Sequence, residues 1–386
     1  MTPVHATSSL VPSPYEPSAL LGGLSPARFM QRHWQKKPLL IRNALPDFAP
    51  LLSRQALFAM TTDDAVESRL IEHRESGWTL KHGPFSPRAF PPLKKKGWTL
   101  LVQGVDTHLD AAHALLQRFR FVPDARLDDL MISWASDGGG VGPHFDSYDV
   151  FLLQVSGQRR WRIGRQKDLS LEPDVPLKIL SHFEAEEEHL LGPGDMLYLP
   201  PRWAHDGVAV GGDCMTYSIG FRVSQRGGLA GELLQRMADE FEDTTLYADR
   251  NQPATSTPAA MPPGLEAFAA DALQRLLAQR QTLACALGEV MTEPKPRVWF
   301  DQPAGAWSPG ALHLDRRTRM MYDERHVFIN GEGFLAGGAD ARLMRRLADQ
   351  RQLAASDVRK ASAAALALLQ DWFEAGWLQL TDPDRT

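Results

Sequence analysis

The fold of this chain is decided around one short run, Gly142-Pro143-His144-Phe145-Asp146, which leads directly into the apolar stretch Val150–Val155. A β-strand alternates its side chains between two faces, so His144 and Asp146 would point in the same direction. Further along, the run Pro200-Pro201-Arg202-Trp203-Ala204-His205 brings a second histidine to the beginning of another predicted strand. Two residues of one strand and a histidine of its neighbour form the 2-His-1-carboxylate arrangement of non-haem Fe(II) oxygenases. His144, Asp146 and His205 are therefore the predicted metal ligands and catalytic residues.

The His-x-Asp pattern occurs at two other places, and neither has the context of a metal site. His108-Leu109-Asp110 opens a segment whose composition and apolar spacing favour a helix. His313-Leu314-Asp315 is followed by the cationic run Arg316-Arg317-Thr318-Arg319, which would repel a dication. We interpret both copies as ordinary surface residues.

The strand after the glycine-rich segment 138–142 offers a candidate cation for a dicarboxylate co-substrate. Arginine binds a carboxylate with two parallel charge-assisted hydrogen bonds. Alternation places Arg159 on the face of Trp161, and Arg160 with Arg162 on the other face. The large apolar Trp161 is expected inside the barrel, so Arg159 is the predicted inward cation.

The composition and the pattern of apolar runs and turn residues along the chain indicate a mixed α and β protein with more than one domain. The 386 residues are 43% hydrophobic, enough for two or three domains with real cores. Between residues 127 and 223, short apolar runs alternate with Gly, Pro and Asp turns, which favours a closed or sandwiched antiparallel sheet. From Gly227 onward, helical stripes dominate, followed by a strand at Val327–Ile329 and two helices near residues 339–348 and 357–375.

Charge and cysteine usage narrow the class of protein. A net charge of −5 excludes a strongly basic nucleic-acid binder, so no direct nucleic-acid partner is expected. Cys214 and Cys285 are the two cysteines, and both lie in apolar periodic segments, which favours a reducing compartment. No apolar stretch has the length of a membrane span, and the first 15 residues lack the features of a signal peptide. We therefore predict a cytoplasmic protein with no membrane partner.

Taken together, these motifs resemble the JmjC-type 2-oxoglutarate oxygenases, most closely the bacterial ribosomal oxygenases that hydroxylate C3 of an arginine in large-subunit ribosomal protein sixteen. The resemblance runs in order from residue 25 to roughly 225 and is specific there. It is carried by Trp34-Gln35-Lys36-Lys37-Pro38-Leu39-Leu40-Ile41, residues 139–151, Arg159-Arg160-Trp161-Arg162, residues 199–205 and Tyr217-Ser218-Ile219-Gly220-Phe221-Arg222. The general JmjC pattern has Gly-x-Lys-x-Trp on the strand that binds the co-substrate. This chain has Arg159 in place of the lysine, and arginine is usual there in the ribosomal branch.

The resemblance implies a double-stranded β-helix (the cupin/JmjC barrel) over residues 1–225, a helical dimerisation region over 226–293 and a small winged-helix-like domain over 294–386. It also implies Fe(II) on His144, Asp146 and His205, with O2 and the co-substrate 2-oxoglutarate. Arg159 would bind the distal carboxylate, helped by Ser133 and Thr216. A homodimer acting on a ribosomal protein is the expected assembly.

Several alternatives stay open at the level of sequence. A related hydroxylase could act on a histidine of another ribosomal protein. A methyl-lysine demethylase would carry a polar or aromatic cage, and none is found in the sequence. The arginine-containing tail could belong to a nucleic-acid-binding regulator, and a non-catalytic cupin-like binding module is a further reading. For an arginine substrate, Asp137 and Asp149 are the candidate partners of the guanidinium.

Overall fold

The chain folds as two units in the computed structural model, which describes residues 13–75, 77–303 and 305–381. The first unit comprises Met1–Val223 with Pro296–Phe300, and the second comprises Ser224–Lys295 with Asp301–Thr386. Among the described residues, no helix is long and apolar enough to cross a membrane. The predicted strands between residues 127 and 223 all lie in the first unit.

Ten antiparallel strands form the sheet of the first unit. They are β1 (Leu39–Ile41), β2 (Ser68–Arg74), β3 (Gly77–His82), β4 (Trp98–Val102), β5 (Leu127–Ala135), β6 (His144–Phe145), β7 (Val150–Gly164), β8 (Glu187–Leu191), β9 (Met196–Leu199) and β10 (Ala204–Phe221). Their order is β1-β9-β7-β10-β5-β4-β2-β3, with β6 paired to β10 and β8 paired to β7. The helices of this unit are α1 (Pro26–Arg32), α2 (Arg54–Met60) and α3 (Asp110–Gln117), and short 3-10 turns lie at Ala19–Leu21, Pro87–Ala89 and Val105–Thr107.

The two longest strands, β7 and β10, change partners half-way along. The first half of β7 pairs with β9 and its second half with β8. Near Gly157, which has a φ of 63°, the pairing of β7 with β10 shifts register. A one-residue shift exchanges the faces of a strand. As a result, Leu152 before the shift and Trp161 after it belong to the same buried cluster.

A large aromatic core lies on the opposite face of the sheet and fixes the N-terminal segment to it. Helix α1 begins at Ser25, whose hydroxyl accepts the Arg28 N–H, and it buries Phe29 completely. The Phe29 ring lies 4.9 Å from that of Tyr198. Burial of a side chain of this size stabilises the fold by about 1.5–3 kcal/mol. The segment around Trp34 is therefore part of the barrel domain and not a loose extension.

The second unit contains six helices and two small sheets among the residues that the structure describes. The helices are α4 (Arg226–Asp239), α5 (Pro263–Ala278), α6 (Arg280–Thr292), α7 (Gly338–Gln350), α8 (Ala355–Val358) and α9 (Ala363–Glu374). The strands are β11 (Leu312–Leu314), β12 (Met320–Tyr322), β13 (His326–Ile329), β14 (Glu332–Leu335), β15 (Gln352–Leu353) and β16 (Leu378–Leu380). They form the sheets β15-β11-β16 and β12-β13-β14.

The last helix differs from the sequence-based expectation. A single helix was expected over residues 357–375, whereas α8 ends at Val358 and α9 starts afresh at Ala363. The break arises because the Ser362 hydroxyl accepts the Ala365 N–H, which caps a new helix. The division of this unit into a helical region (226–293) and a tail (294–386) stays a prediction.

Candidate metal centre

Strand pairing brings the three predicted metal ligands together. His144 of β6 and His205 of β10 are direct partners across the ladder, and their ring centroids lie 4.2 Å apart. Asp146 comes directly after the end of β6, so it lies in the connection between β6 and β7 and not on the predicted strand. Its carboxylate nevertheless lies 3.7 Å from His205 Nε2. One ligand atom from each of the three residues lies within 4.8 Å of the other two.

Backbone carbonyls orient both imidazoles in the same way. His144 Nδ1 lies 2.9 Å from the Gly142 oxygen, and His205 Nδ1 lies 3.0 Å from the Trp203 oxygen. A carbonyl only accepts hydrogen bonds, so each Nδ1 carries the proton and donates it. Each Nε2 then has its lone pair available to a metal ion, as in metal sites whose histidines are held by a second hydrogen bond. The Arg202 N–H donates to the Asp146 backbone oxygen at 2.7 Å. This hydrogen bond connects the segment that carries the Asp146 carboxylate to the segment that precedes His205.

The protonation state of His205 also suits metal binding. Burial of the imidazole lowers the pKa of His205 to about 4. At neutral pH its imidazole is therefore uncharged, which is the form that binds metal ions.

The glycine-rich segment before His144 is packed tightly against the sheet. A Cβ at Gly139 would lie 2.4 Å from the Trp98 oxygen, and a Cβ at Gly140 would lie 2.6 Å from the Gly207 oxygen. The Thr99 hydroxyl donates to the Gly140 oxygen at 3.2 Å. Glycine is required here because the backbone of the segment approaches the neighbouring backbone too closely for any side chain.

Arg159 is buried within the barrel and carries two unpaired donors. It is 3% exposed, and Nη1 makes one long hydrogen bond of 3.4 Å to the Gly207 oxygen. Nε and Nη2 are buried and have no acceptor among the described residues. By contrast, Arg160 and Arg162 face outward and pair with Glu188 and Asp206. A buried guanidinium with two unsatisfied donors fits the distal carboxylate of a dicarboxylate.

Ser133 and Thr216, the two other predicted co-substrate residues, are buried partners across β5 and β10. The Ser133 hydroxyl donates to the Thr216 oxygen at 3.3 Å, and the Thr216 hydroxyl donates to Gln154 Oε1 at 2.9 Å. Gln154 was not predicted as a site residue. A polar residue inside the apolar run Val150–Val155 was the signal that could have identified it.

The donor set fits the metal that the resemblance implies. Two imidazole nitrogens and one carboxylate oxygen on one side of an ion leave coordination positions open for a chelating co-substrate and O2. The orphaned donors of Arg159 supply the cation that a chelated dicarboxylate requires at its far end.

Comparison with known proteins identifies the family. Residues 114–229 match the model of the JmjC domain, and residues 272–379 match that of the ROXA-like winged helix. The chain is 34% identical over 290 residues to the ribosomal protein uL16 3-hydroxylase of Escherichia coli K12, covering 74% of this chain and 76% of that one. The chain belongs to the JmjC ribosomal oxygenase family.

Two further relatives agree with this placement. A probable ribosomal oxygenase of Haemophilus influenzae is 38% identical over 203 residues, which cover 52% of this chain and 50% of that protein. The structure of the Escherichia coli ribosomal oxygenase YcfD in complex with cobalt and 2-oxoglutarate superposes with a TM-score of 0.79 at 29% identity, covering 92% of this chain and 98% of that chain. The predicted fold, a double-stranded β-helix with a winged-helix-like domain in the tail, is confirmed.

The two aspartates proposed to meet a substrate guanidinium have different surroundings. Asp149 is fully buried, and its carboxylate accepts hydrogen bonds from Tyr198, Gln35 and Arg126. Asp149 therefore joins three separate segments of the first unit through hydrogen bonds, and the hypothesis that it contacts the substrate is wrong. Asp137 is partly exposed and lies 2.7 Å from the Lys96 ammonium. Lys96 and the Gly211 N–H hold the pKa of Asp137 below its usual value.

Among the residues that the structure describes, neither of the other two His-x-Asp copies is part of the ligand cluster. The first precedes α3, as its apolar spacing predicted. In the second, the structure contradicts the interpretation as surface residues, because Asp315 is 2% exposed. Its carboxylate binds the Arg317 guanidinium at 2.7 Å, which holds the pKa of Asp315 below its usual value.

Proposed function

We propose that this chain is an Fe(II)- and 2-oxoglutarate-dependent protein hydroxylase whose target is C3 of an arginine side chain in large-subunit ribosomal protein uL16. The observation that carries the proposal is a cluster of three metal-competent side chains with a buried arginine near it. The Arg159 guanidinium lies over the Trp161 ring, which lies 5.8 Å from the His205 ring, and its Nε and Nη2 have no acceptor among the described residues. The similarity to the Escherichia coli uL16 3-hydroxylase supplies the substrate.

The residues of this chain would share the work as follows. His144, Asp146 and His205 would hold Fe(II), and Arg159 would bind the distal carboxylate of 2-oxoglutarate through Nε and Nη2. Ser133 and Thr216 would line the same pocket, with Gln154 fixing the Thr216 hydroxyl. When bound, iron, 2-oxoglutarate and O2 supply the oxidising chemistry that inserts one oxygen into a C–H bond and yields succinate and CO2. The protein's share is orientation and the exclusion of water.

The backbone holds the proposed metal ligands in fixed positions. Hydrogen bonds from both imidazoles to the backbone fix the rings, and the close packing of Gly139 and Gly140 fixes the segment that carries His144. Such preorganisation reduces the cost of ordering the ligands when metal binds.

A homodimer is part of the proposal, and exposed apolar side chains on the helices of the second unit support it. Leu273 and Leu277 of α5 are 55% and 51% exposed, and Leu287 of α6 is 42% exposed. Leucines at helical spacing that remain exposed in one chain are typical of an interface, and a second copy of this chain is the proposed occupant. The helical region over residues 226–293 would then be the dimerisation region.

Direct nucleic-acid binding by the tail is not proposed, because several of its arginines are engaged within the domain. Arg317 pairs with Asp315 and Asp301, and Arg346 pairs with Asp357. Arginines held in internal ion pairs contribute little to phosphate binding. A cytoplasmic location is proposed because ribosomal protein substrates are found there.

The test is hydroxylation of an arginine-containing uL16 peptide by the purified protein with Fe(II), 2-oxoglutarate and O2. Mass spectrometry should show a gain of one oxygen on the arginine, with stoichiometric succinate. Asp146→Asn should abolish both products, whereas Asp168→Asn, at a surface aspartate that binds Ser170, should retain them. Oxygen on a histidine peptide, or loss of a methyl group from methyl-lysine, would instead support the corresponding alternative. Absence of succinate under all conditions would leave only a binding module.

A further inference from the structure

An aromatic side chain that the proposed chemistry does not use lies beside the metal centre. Trp78 belongs to β3, an edge strand of the ten-stranded sheet of the first unit. In the pairing of β2 with β3, Trp78 lies directly opposite His73. Their rings stack with centroids 4.1 Å apart and an interplanar angle of 17°. The indole is half-buried, and the imidazole is exposed.

The indole lies next to Gly142, whose backbone oxygen binds the metal ligand His144. A Cβ at Gly142 would lie 3.1 Å from Cζ2 of Trp78 and 3.0 Å from Cδ1 of Ile179. Gly142 also provides the carbonyl oxygen that orients His144. The indole therefore lies against the residue that positions a metal ligand, and glycine at 142 keeps the space beside the ring clear of a side chain.

The sheet register places the indole on the same side as the metal site. His73 and Ile71 share one face of β2, because they are two residues apart. Ile71 pairs with Thr99 of β4, and the Thr99 hydroxyl binds the glycine-rich segment through the Gly140 oxygen. Partners directly opposite each other in an antiparallel pair lie on one face, so Trp78 shares this face as well. Trp78 therefore lies on the sheet face from which Thr99 binds the glycine-rich segment before His144.

We propose that Trp78 is a specificity-determining residue of this oxygenase and that its indole stacks on the planar guanidinium of the target arginine. This inference rests on the proposed function and adds to it the residue that recognises the cation. His73 stacks on one face of the half-buried indole, so the proposed contact with the guanidinium uses the other face. A guanidinium is planar, is weakly hydrated and stacks on aromatic rings.

The arrangement favours guanidinium over methylammonium. A methylammonium group is spherical and is bound by a cage of several aromatic rings around it. In the part of the chain that the structure describes, His73 is the aromatic ring found stacked on Trp78. A flat stack of His73 and Trp78, with no further ring stacked on Trp78 among the described residues, fits an arginine hydroxylase better than a methyl-lysine demethylase.

The test compares Trp78→Leu, Trp78→Phe and Trp299→Leu with the wild-type enzyme. Trp299 is a matched control in the same unit, and its side chain is 76% exposed. Three uL16 peptides are used that differ only in the target residue, which is arginine, citrulline or lysine. Citrulline keeps the planar shape without the charge. Peptide-independent turnover of 2-oxoglutarate reports on the iron and co-substrate sites separately.

We expect Trp78→Leu to raise KM for the arginine peptide by about 5- to 30-fold, which is the range between an exposed and a desolvated cation–π contact. Peptide-independent turnover should stay at the wild-type level. Trp78→Phe should retain part of the affinity, Trp299→Leu all of it, and the preference for arginine over citrulline should shrink only in the Trp78 variants.

An unchanged KM and an unchanged citrulline preference in Trp78→Leu would overturn the inference while the proposed function stands. Loss of peptide-independent turnover in Trp78→Leu and Trp78→Phe alike would also overturn it, because Trp78 would then be structural. A wild-type enzyme that leaves the arginine peptide unmodified would overturn the proposed function first.

Discussion

Replacing Arg159 with methionine should separate the stability of the ligand-free enzyme from its affinity for 2-oxoglutarate. Nε and Nη2 of Arg159 are buried, and no acceptor for them lies in the part of the chain that the structure describes. Each such donor costs about 1–3 kcal/mol of folding free energy. Methionine fills a similar space without any polar atom. The variant loses a contact with the buried Trp161 ring, whose centroid lies 5.6 Å from the guanidinium and which contributes about 2 kcal/mol, and it loses the long hydrogen bond to the Gly207 oxygen. The ligand-free variant should therefore be at least as stable as the wild type.

The effect on co-substrate affinity should have the opposite sign and be large. Two charge-assisted hydrogen bonds to the distal carboxylate contribute about 3–6 kcal/mol together. Their loss should weaken binding of 2-oxoglutarate by about 100- to 10,000-fold. Binding to the folded state alone raises the unfolding temperature, so this loss appears directly as a missing ligand-induced shift.

The assay is thermal unfolding with cobalt and increasing 2-oxoglutarate in the absence of O2. Arg160→Met is the matched control on the same strand, because Arg160 is half-exposed and pairs with Glu188. It should behave like the wild type in both respects. The reasoning would be refuted if Arg159→Met kept the wild-type response to 2-oxoglutarate, or if its ligand-free form unfolded several degrees below the wild type.

Three further predictions concern the site and the assembly. The folded pKa of His205, about 4, lies below its ordinary value of 6.5, so the metal-free protein should lose stability as the pH falls from 6.5 to 4 while the unfolded chain takes up a proton. His205→Gln should remove that part of the decline. The free energy of unfolding of both proteins is measured by urea titration at a series of pH values, and an equal dependence on pH in the two proteins would contradict this prediction. Gly140→Ala should destabilise the fold by about 1–3 kcal/mol and weaken metal binding, because its Cβ would lie 2.6 Å from a backbone oxygen. Gly192→Ala, where nothing lies within 4 Å, is the control, and losses of equal size in both would argue against the packing account. If the proposed dimer forms through α5, Leu273→Glu combined with Leu277→Glu should give the mass of a monomer in light scattering where the wild type gives that of a dimer, and equal masses for the two proteins would contradict this interface.

The metal centre was predictable because its residues leave local signals. His144 and Asp146 are two apart before an apolar strand, and the glycines before them mark a close backbone approach. The inward position of Arg159 followed from the face that it shares with Trp161. The inference about Arg159 uses the alternation of a strand. The expectation that Asp146 shares a strand with His144 was wrong, because β6 ends at Phe145, although the carboxylate still reaches the metal centre.

The remaining features depend on contacts between distant parts of the chain. Asp149 reads as a polar residue near a turn, and its burial follows from Tyr198 and Gln35, which approach it only in the folded barrel. The register shift near Gly157 was not predicted, because a bulge is set by the pairing of β7 with β10 and not by either strand alone. Gln154 was missed for the same reason, since its partner is Thr216 of the neighbouring strand.

The most direct test of the proposed activity is the mass of uL16 from cells that contain this protein, from cells that lack it, and from cells that carry only its His144→Ala variant. The account predicts a gain of one oxygen on one arginine of uL16 in the first strain and no gain in the other two. Identical uL16 masses in all three strains, or an oxygen that persists with the His144→Ala variant, would contradict it.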